Sequence, residues 1–162
     1  MNKNHVKNIE ISAAIITVSS TRNKKNDSSG AAISTLLKDH GIPIKHYAII
    51  PDQIDAIRNE LYIAMKTTNC IIFNGGTGLT HDDCTIEAIA PLLEKKIDGF
   101  GEFFRMKSLQ EIGTSSMLSR AIAGVISEKV IFCIPGSTPA VTLATSELIL
   151  PEIAHILSHA NR

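Results

Sequence analysis

The sequence predicts a three-layer α/β/α fold with a mainly parallel central sheet. Apolar runs rich in β-branched residues alternate with segments whose apolar residues recur at a spacing of three to four. Strands that are apolar on both faces are typical of parallel sheets, because helices cover both sides of such sheets. The chain has 162 residues, and we assign residues 1–162 to a single domain with a flexible N-terminal tail over residues 1–8.

Two strand and helix units and a third strand are predicted in the first half. Residues 9–18 predict a strand, and residues 27–29 offer N-caps for a helix that Gly41 ends. Residues 44–50 predict the second strand, and residues 70–73 predict a short third one. The buried stripe of the intervening helix consists of Ile54, Ile57, Leu61, Ala64 and Met65.

The middle of the second half is less regular in sequence. A short helix is predicted over residues 85–90, with an interruption or restart at Pro91. Residues 94–113 contain glycines and charges without a clear period, and we expect an irregular segment there.

A strand and a long helix are predicted at the C-terminal end. Residues 129–134 predict the last central strand. Thr138 is the expected N-cap of the helix, with Pro139 at the first helical position, and Pro151 is the expected point of a break.

Charge and cysteine content exclude several classes of protein. Sixteen basic residues balance sixteen acidic ones, so no net positive field attracts nucleic acid or an anionic membrane. The longest uncharged stretch contains Pro-Gly and several Ser and Thr residues, which argues against a membrane span. Cys70, Cys84 and Cys133 lack C-x-x-C spacing, which argues against a disulfide framework or zinc site and favours the reducing cytoplasm.

Two glycine turns follow predicted strands and precede predicted helices. The backbone amides of such turns can approach an anion closely. The alternative is a tight turn that needs a positive φ and binds nothing. Because the arrangement occurs twice, it suggests a two-part ligand. The first turn consists of Gly75, Gly76, Thr77 and Gly78, and the second of Pro135, Gly136 and Ser137.

Aspartates follow the second and the third predicted strands. Asp52 follows the second strand, and Asp82 and Asp83 follow the first glycine turn. Because the carboxyl ends of parallel strands meet at one edge of a sheet, we expect these side chains to converge. Magnesium prefers one or two protein carboxylates and takes its other ligands from water and phosphate. The alternative is that each aspartate caps a helix.

Further candidate groups come from the irregular segment and beyond. Residues 99–105 read as a loop in which Arg105 can fork onto a phosphate, or alternatively as a solvated pair of Glu102 and Arg105. Ser119 and Arg120 can add donors to the same rim, although Arg120 can equally be a surface charge.

Five short motifs occur in an order that resembles the MoaB/MogA family of molybdenum-cofactor biosynthesis, in particular its MoaB branch. The resemblance spans essentially the whole chain from Ile11 onwards. The motifs are N-G-G-T-G at 74–78, D-x-T at 83–85, G-F-G-E-x-x-R at 99–105, L-S-R-A-x-A-G at 118–124 and P-G-S at 135–137.

The resemblance implies molybdopterin binding and, in active members, transfer of AMP from magnesium-ATP to the terminal phosphate of molybdopterin. Asp83 matches the acidic residue of the D-x-T motif, and Asp52 matches an acidic position found in the active branch. Both are therefore the predicted catalytic residues and Mg²⁺ ligands. The predicted pterin- and nucleotide-binding residues are Thr17, Ser19, Gly75, Gly76, Thr77, Gly78, Arg105, Ser119, Pro135, Gly136 and Ser137.

The resemblance also implies a homotrimer or a dimer of trimers that works with other proteins of the same pathway. Two positions depart from the family pattern: Asp82 stands where a basic residue is frequent, and Asn74 where threonine is common. An added negative charge opposes phosphate binding. A non-catalytic pterin carrier or scaffold therefore remains the alternative to the enzyme, and a third possibility is that these features are only turns and caps.

Overall fold

The computed structural model describes residues 8–162, so the predicted tail of residues 1–8 lies outside the described residues except for Asn8. A six-stranded sheet with helices on both faces confirms the predicted fold class. The strands are β1 (Ala13–Val18), β2 (Ile44–Ile50), β3 (Cys70–Asn74), β4 (Lys95–Lys96), β5 (Ile122–Ile126) and β6 (Lys129–Ile134). The helices are α1 (Ser28–Asp39), α2 (Ile54–Met65), α3 (Thr85–Ile89), α4 (Asp98–Ile112), α5 (Thr138–Ala144) and α6 (Leu150–Ala160).

The strand order places the candidate residues at one edge of the sheet. The order is β2-β1-β3-β6-β5-β4, in which β2, β1, β3 and β6 are parallel, and β5 pairs antiparallel with both β6 and β4. The chain leaves β1 on one side to form β2 and returns on the other side to form β3. Ligands of open parallel sheets bind outside the carboxyl ends of the strands at such a reversal. The loops after β1 and β3 therefore frame the expected position of a site.

Alternating residues of each central strand enter two separate cores. In β1, the fully buried Ile15 packs into the core that includes α1, α5 and α6, and Ile16 packs into the core that includes α2 and α3. Ile72 and Phe73 divide in the same way in β3. Both faces of these strands are covered, which explains why their sequences are apolar throughout.

The prediction of an irregular segment at residues 94–113 is wrong. The structure has the short edge strand β4 and the 15-residue helix α4 there. Gly99 and Gly101 lower helix propensity and obscured the helix in the sequence. A Cβ atom placed on Gly101 would lie 2.5 Å from the carbonyl oxygen of Ala121, so a glycine lets α4 pack closely against the chain entering β5.

Strand β5 was not predicted, because its hairpin turn lacks the usual turn residues. Ser127 and Glu128 join β5 to β6, and both have positive φ angles, of 46° and 64°. A two-residue turn of this kind normally contains Asn or Gly. The resulting hairpin makes this edge of the sheet antiparallel.

The C-terminal helix continues through Pro151, so the predicted break is wrong. A π-helical turn at Thr145–Ile149 immediately precedes α6, and such a wider turn accommodates the missing N–H and the ring of a proline. The helical stretch Thr138–Ala160 is long and apolar enough to cross a membrane by length and composition alone. Its buried residues, including Val141 and Leu157, pack in the core of the sheet, as expected of a core helix.

Candidate functional site

The two predicted glycine turns are in direct backbone contact. The amide of Gly75 donates to the carbonyl of Ile134 at 3.0 Å, and a Cβ atom placed on Gly136 would lie 2.9 Å from Cα of Gly75. Gly75 has a φ of +92°, and a Cβ atom there would overlap the carbonyl oxygen of Val18. The ends of β1, β3 and β6 therefore approach so closely that there is no room for a side chain at Gly75 or Gly136.

Asp52 and Asp83 both lie against the first glycine turn. A Cβ atom placed on Gly76 would lie 3.1 Å from Oδ1 of Asp52, and one placed on Gly78 would lie 2.6 Å from Oδ2 of Asp83. The turn therefore carries one carboxylate beside Gly76 and the other beside Gly78. Both residues that the sequence predicts as catalytic residues and magnesium ligands thus lie at this turn.

Asp52 is held by the loop that follows β1. Its Oδ2 accepts hydrogen bonds from the amide of Ser20 at 3.0 Å and from the Ser20 hydroxyl at 2.8 Å. The N-cap of α2 is Gln53, so helix capping does not explain Asp52. Both bonds go to one oxygen, and Oδ1 is the oxygen near Gly76.

Asp83 is held by the chain immediately before it. Its Oδ2 accepts hydrogen bonds from the amide and the hydroxyl of Thr80, at 2.9 and 2.7 Å, and the N-cap of α3 is Cys84. Partial burial raises the pKa of Asp83, but these bonds, the amide of Gly78 and the charge of Arg120 outweigh it. The pKa of Asp83 therefore lies below its usual value, and the side chain is ionised at neutral pH.

Arg120 fastens the first glycine turn and is more than a surface charge. Its Nε donates to the carbonyl of Thr77 at 2.9 Å, and its Nη2 donates to the carbonyl of Gly78 at 2.8 Å. The other edge of the guanidinium meets both carboxylate oxygens of Glu87, at 2.5 and 3.3 Å. The hydrogen bond from Arg120 is the main reason that the pKa of Glu87 is lowered.

A buried polar network lies directly beneath the turns. Asp27 accepts hydrogen bonds from the hydroxyls of Thr17, at 2.6 Å, and of Tyr47. The amide of Asn74 donates to Thr17 at 3.0 Å, and its carbonyl accepts from Ser29 at 2.9 Å. Thr17 is only 1% exposed, so it supports the site from behind and does not face it, contrary to the contact predicted from the sequence.

The loop after β1 joins this network to the second glycine turn. Arg22 donates to the carbonyl of Gly136 at 3.1 Å, and its guanidinium also contacts Ser29 and, at 3.5 Å, Asp27. The half-buried Ser19 accepts the amide of Arg22 at 3.2 Å and thereby shapes this loop. Nothing in the sequence indicates which carbonyl Arg22 contacts.

Two predicted residues lie away from the glycine turns. Arg105 and Ser119 line a separate cleft of about 520 Å³ among α3, α4 and β5, where Nη1 of Arg105 approaches the carbonyl of Ser119 at 3.5 Å. Of the pair predicted to add donors to the aspartate rim, Arg120 binds the first glycine turn, whereas Ser119 lines the cleft beside it. Arg120 lines this cleft and also binds the glycine turn, so it forms the boundary between the two places.

The second turn and two neighbouring residues differ from expectation in detail. Ser137, and not Thr138, caps α5, because its hydroxyl accepts the amide of Ala140 at 3.3 Å. Thr77 is buried, and Pro135 and Gly136 are half-buried.

The side chain of Asp82 is 91% exposed and lies 3.9 Å from His81, so its charge is directed into solvent, where water and salt screen it.

The donor set is suited to magnesium and not to a metal that needs many protein ligands. Among residues 8–162, no group of three or more His, Cys, Asp or Glu residues could hold a metal ion. Magnesium retains several waters and binds through one or two carboxylates and substrate phosphates. Asp52 and Asp83 match this requirement in number and type, because each places a carboxylate at the first glycine turn.

Fold and site together define an α/β protein with a candidate ligand site at the carboxyl edge of its sheet. The profile of the family described as "probable molybdopterin binding domain" matches residues 14–155. The chain is 45% identical over 156 residues to molybdenum cofactor biosynthesis protein B of Bacillus cereus, covering 94% of this chain and 92% of that protein. The chain therefore belongs to the molybdopterin-binding family of molybdenum-cofactor biosynthesis proteins.

Solved structures agree with this assignment. A crystal structure of molybdenum cofactor biosynthesis protein B matches with a TM-score of 0.91 and 44% identity, over 95% of this chain and 98% of that one. A tungsten cofactor synthesizing protein, MoaB from Pyrococcus furiosus, matches with a TM-score of 0.86 and 38% identity, over 94% and 98%. The resemblance stated from the sequence is thus confirmed at the level of family and fold.

Proposed function

We propose that this protein transfers AMP from magnesium-ATP to the terminal phosphate of molybdopterin. A phosphate oxygen of molybdopterin attacks the α-phosphorus of ATP, the bond from that phosphorus to the bridging oxygen breaks, and pyrophosphate leaves. The observation that carries the proposal is the placement of Asp52 and Asp83 on the same glycine turn. Such a site supplies the positioning and charge that phosphoryl chemistry requires.

The chain's own residues contribute in two ways. Asp52 and Asp83 hold the cation, and amides of the glycine turns other than those of Gly75 and Gly78, which are directed to Ile134 and Asp83, orient phosphate oxygens. Magnesium, when bound, neutralises charge on the triphosphate. The neighbouring cleft, with Arg105 and Ser119, offers a basic group and a hydroxyl for the remaining part of the ligand. A two-part ligand fits two adjoining places that meet at Arg120.

A non-catalytic pterin carrier is the second candidate, and Asp82 is the observation that favours it. A third carboxylate next to Asp83 adds negative charge that opposes a triphosphate. Against this, the exposure of Asp82 weakens its effect through screening by water and salt. The two candidates differ in whether ATP is consumed.

Release of pyrophosphate tests the proposal. Purified protein is incubated with molybdopterin and magnesium-ATP, alongside Asp52→Asn, Asp83→Asn and Asp39→Asn variants. We expect pyrophosphate from the native protein and from Asp39→Asn, which removes an exposed carboxylate at the end of α1. Asp83→Asn is expected to retain pterin binding and lose AMP transfer, because it preserves shape and removes charge.

Three other results would contradict parts of this assignment. An unchanged transfer rate in Asp83→Asn would refute its catalytic role. Tight pterin binding without nucleotide consumption would establish the carrier. If neither ligand raised the thermal stability, the turns and carboxylates would be structural only, since a ligand at 100 times its Kd adds about 2.7 kcal/mol.

We further propose that the protein acts in the cytoplasm as a homotrimer or a dimer of trimers, together with other proteins of the pathway. An exposed apolar face on α4 and the turn after it supports self-association, because monomers rarely expose contiguous apolar surface of this kind. Four of its residues recur every three positions along α4. The face consists of Phe103, Met106, Leu109, Ile112, Met117 and Leu118, each more than half exposed.

A further inference from the structure

We infer that Arg120 is a positioning residue that acts on Asp83 through the backbone of the first glycine turn. The inference rests on the proposed function in one respect: Asp83 is the carboxylate which that function uses. Arg120 holds the carbonyls of Thr77 and Gly78, and the carboxylate of Asp83 packs against the backbone of Gly78.

Peptide geometry makes this arrangement directional. In a planar trans peptide, the carbonyl of one residue and the N–H of the next point in opposite directions. Because Arg120 fixes the Thr77 carbonyl, the N–H of Gly78 is directed away from the guanidinium. The carboxylate of Asp83 packs against Gly78 itself, with its Oδ2 2.6 Å from the ideal Cβ position of Gly78, and the amide of Gly78 helps to lower the pKa of Asp83. One peptide group therefore connects the arginine on one side with the aspartate on the other.

No residue larger than glycine fits at position 78, where this peptide meets Asp83. A Cβ atom on Gly78 would lie 2.6 Å from Oδ2 and 3.2 Å from Cγ of Asp83. The carboxylate therefore packs directly on the backbone. Rotation of this peptide would exchange a donor for a carbonyl and present like charge to the carboxylate. Arg120 prevents that rotation.

The hydrogen bonds of Arg120 require a guanidinium. Nε and Nη2 bind two successive carbonyls, while Nη1 and Nη2 bind the two oxygens of Glu87. Four of the five N–H donors of an arginine are thus committed within the protein. A lysine is a point charge on a flexible stem and cannot reproduce this fork. The group is used to hold the turn and has little capacity left for an anionic ligand.

The charge of the Arg120–Glu87 ion pair is a minor part of its effect. The side chains of Arg120 and Glu87 are 31% and 47% exposed, and exposed ion pairs contribute little to stability. Glu87 instead fixes the plane of the guanidinium, because both of its oxygens face the same edge. We therefore expect substitutions in this pair to alter the geometry of the turn more than the stability of the fold.

The experiment compares Arg120→Gln, Arg120→Lys and Glu87→Gln with Arg58→Gln. Arg58 is a matched control, because its Nε also donates to a backbone carbonyl, that of Ala88 in α3, at 3.0 Å. The Gly78 amide is followed by ¹H–¹⁵N NMR in protein without ligands, with Asp83→Asn as the reference for loss of its carboxylate partner. AMP transfer is measured separately, with kcat and the KM for molybdopterin determined for each variant.

We expect both Arg120 variants to move the Gly78 amide resonance towards its position in Asp83→Asn. We also expect them to lower kcat on the order of 100-fold, because a misplacement of a catalytic group by about 1 Å has a cost of this size. The KM for molybdopterin is expected to change less than kcat, and Glu87→Gln to give a smaller effect of the same kind. Arg58→Gln is expected to change neither readout. If Arg120→Gln does not fold, Arg120→Lys and Glu87→Gln give the same test.

An unchanged Gly78 resonance in folded Arg120 variants would overturn the inference. A large rise in KM with kcat preserved would also overturn it, because that result assigns Arg120 to ligand binding. If the native protein transfers no AMP, the proposed function fails, and the NMR comparison alone still decides whether Arg120 orients the turn.

Discussion

Replacing Gly76 by alanine isolates what the first glycine turn contributes beyond backbone strain. Gly76 has a φ of +64°, and this left-handed conformation costs other residues roughly 1–2 kcal/mol. Its new Cβ atom would also overlap Oγ1 of Thr85 and lie 3.1 Å from Oδ1 of Asp52. Thr85 would have to give up its 2.8 Å hydrogen bond to the Gly75 carbonyl, worth about 1 kcal/mol. The expected loss of unfolding free energy is therefore roughly 2–3 kcal/mol.

Gly41→Ala is the matched control for this substitution. Gly41 has a φ of +70°, but nothing lies within 4 Å of its ideal Cβ position, so only the strain of roughly 1–2 kcal/mol applies. Urea unfolding of both variants gives the difference, and pterin affinity and AMP transfer show whether the site is affected. We expect ligand binding to fall in Gly76→Ala alone. Equal losses of stability, with ligand binding intact in both variants, would refute the role assigned to the packing around Gly76.

Two other predictions concern the buried carboxylate and the apolar face. Burial raises the pKa of Asp27, but hydrogen bonds from Thr17, Tyr47, Gly30 and Ser29 outweigh it, so its folded-state pKa lies below the usual 3.8. The stabilising contribution of Asp27 is therefore complete above the usual pKa of 3.8 and is lost as the pH falls through the lower folded-state pKa. The stability advantage of the native protein over Asp27→Asn should shrink on acidification. A difference in urea unfolding that stays constant with pH would contradict this prediction. For the apolar face, Met117→Glu should lower the mass measured by light scattering while Thr114→Glu does not, and an unchanged mass would show that Met117 lies outside an interface between copies.

The fold was predictable wherever burial leaves a local pattern. Both faces of β1 and β3 are buried, so their sequences are continuously apolar and identify a covered parallel sheet. Helix α4 was missed because Gly101 is explained only by the carbonyl of Ala121, 20 residues later in the chain. Strand β5 was missed because Ser127 and Glu128 adopt turn conformations that their residue types disfavour.

The candidate site was predictable to the extent that it follows strand ends. Asp52 and the glycine turn converge because parallel strands end at one edge. The placement of Thr17 depended on register, since it lies opposite Asn74 in β3 and is enclosed there by Asp27. The role of Arg120 depended on a contact across 43 residues, which no local pattern reveals.

The two glycine turns share a design in which arginines bind backbone carbonyls. Arg22 binds the carbonyl of Gly136, and Arg120 binds those of Thr77 and Gly78. Each arginine is in turn held by a carboxylate, Asp27 or Glu87. In each fixed peptide the following N–H points away from the arginine, so these dipoles are set before any ligand arrives. On the proposed function, the fixed Thr77–Gly78 peptide positions Asp83, which holds the cation, before any ligand arrives, so reorganisation of the first turn during the reaction is small.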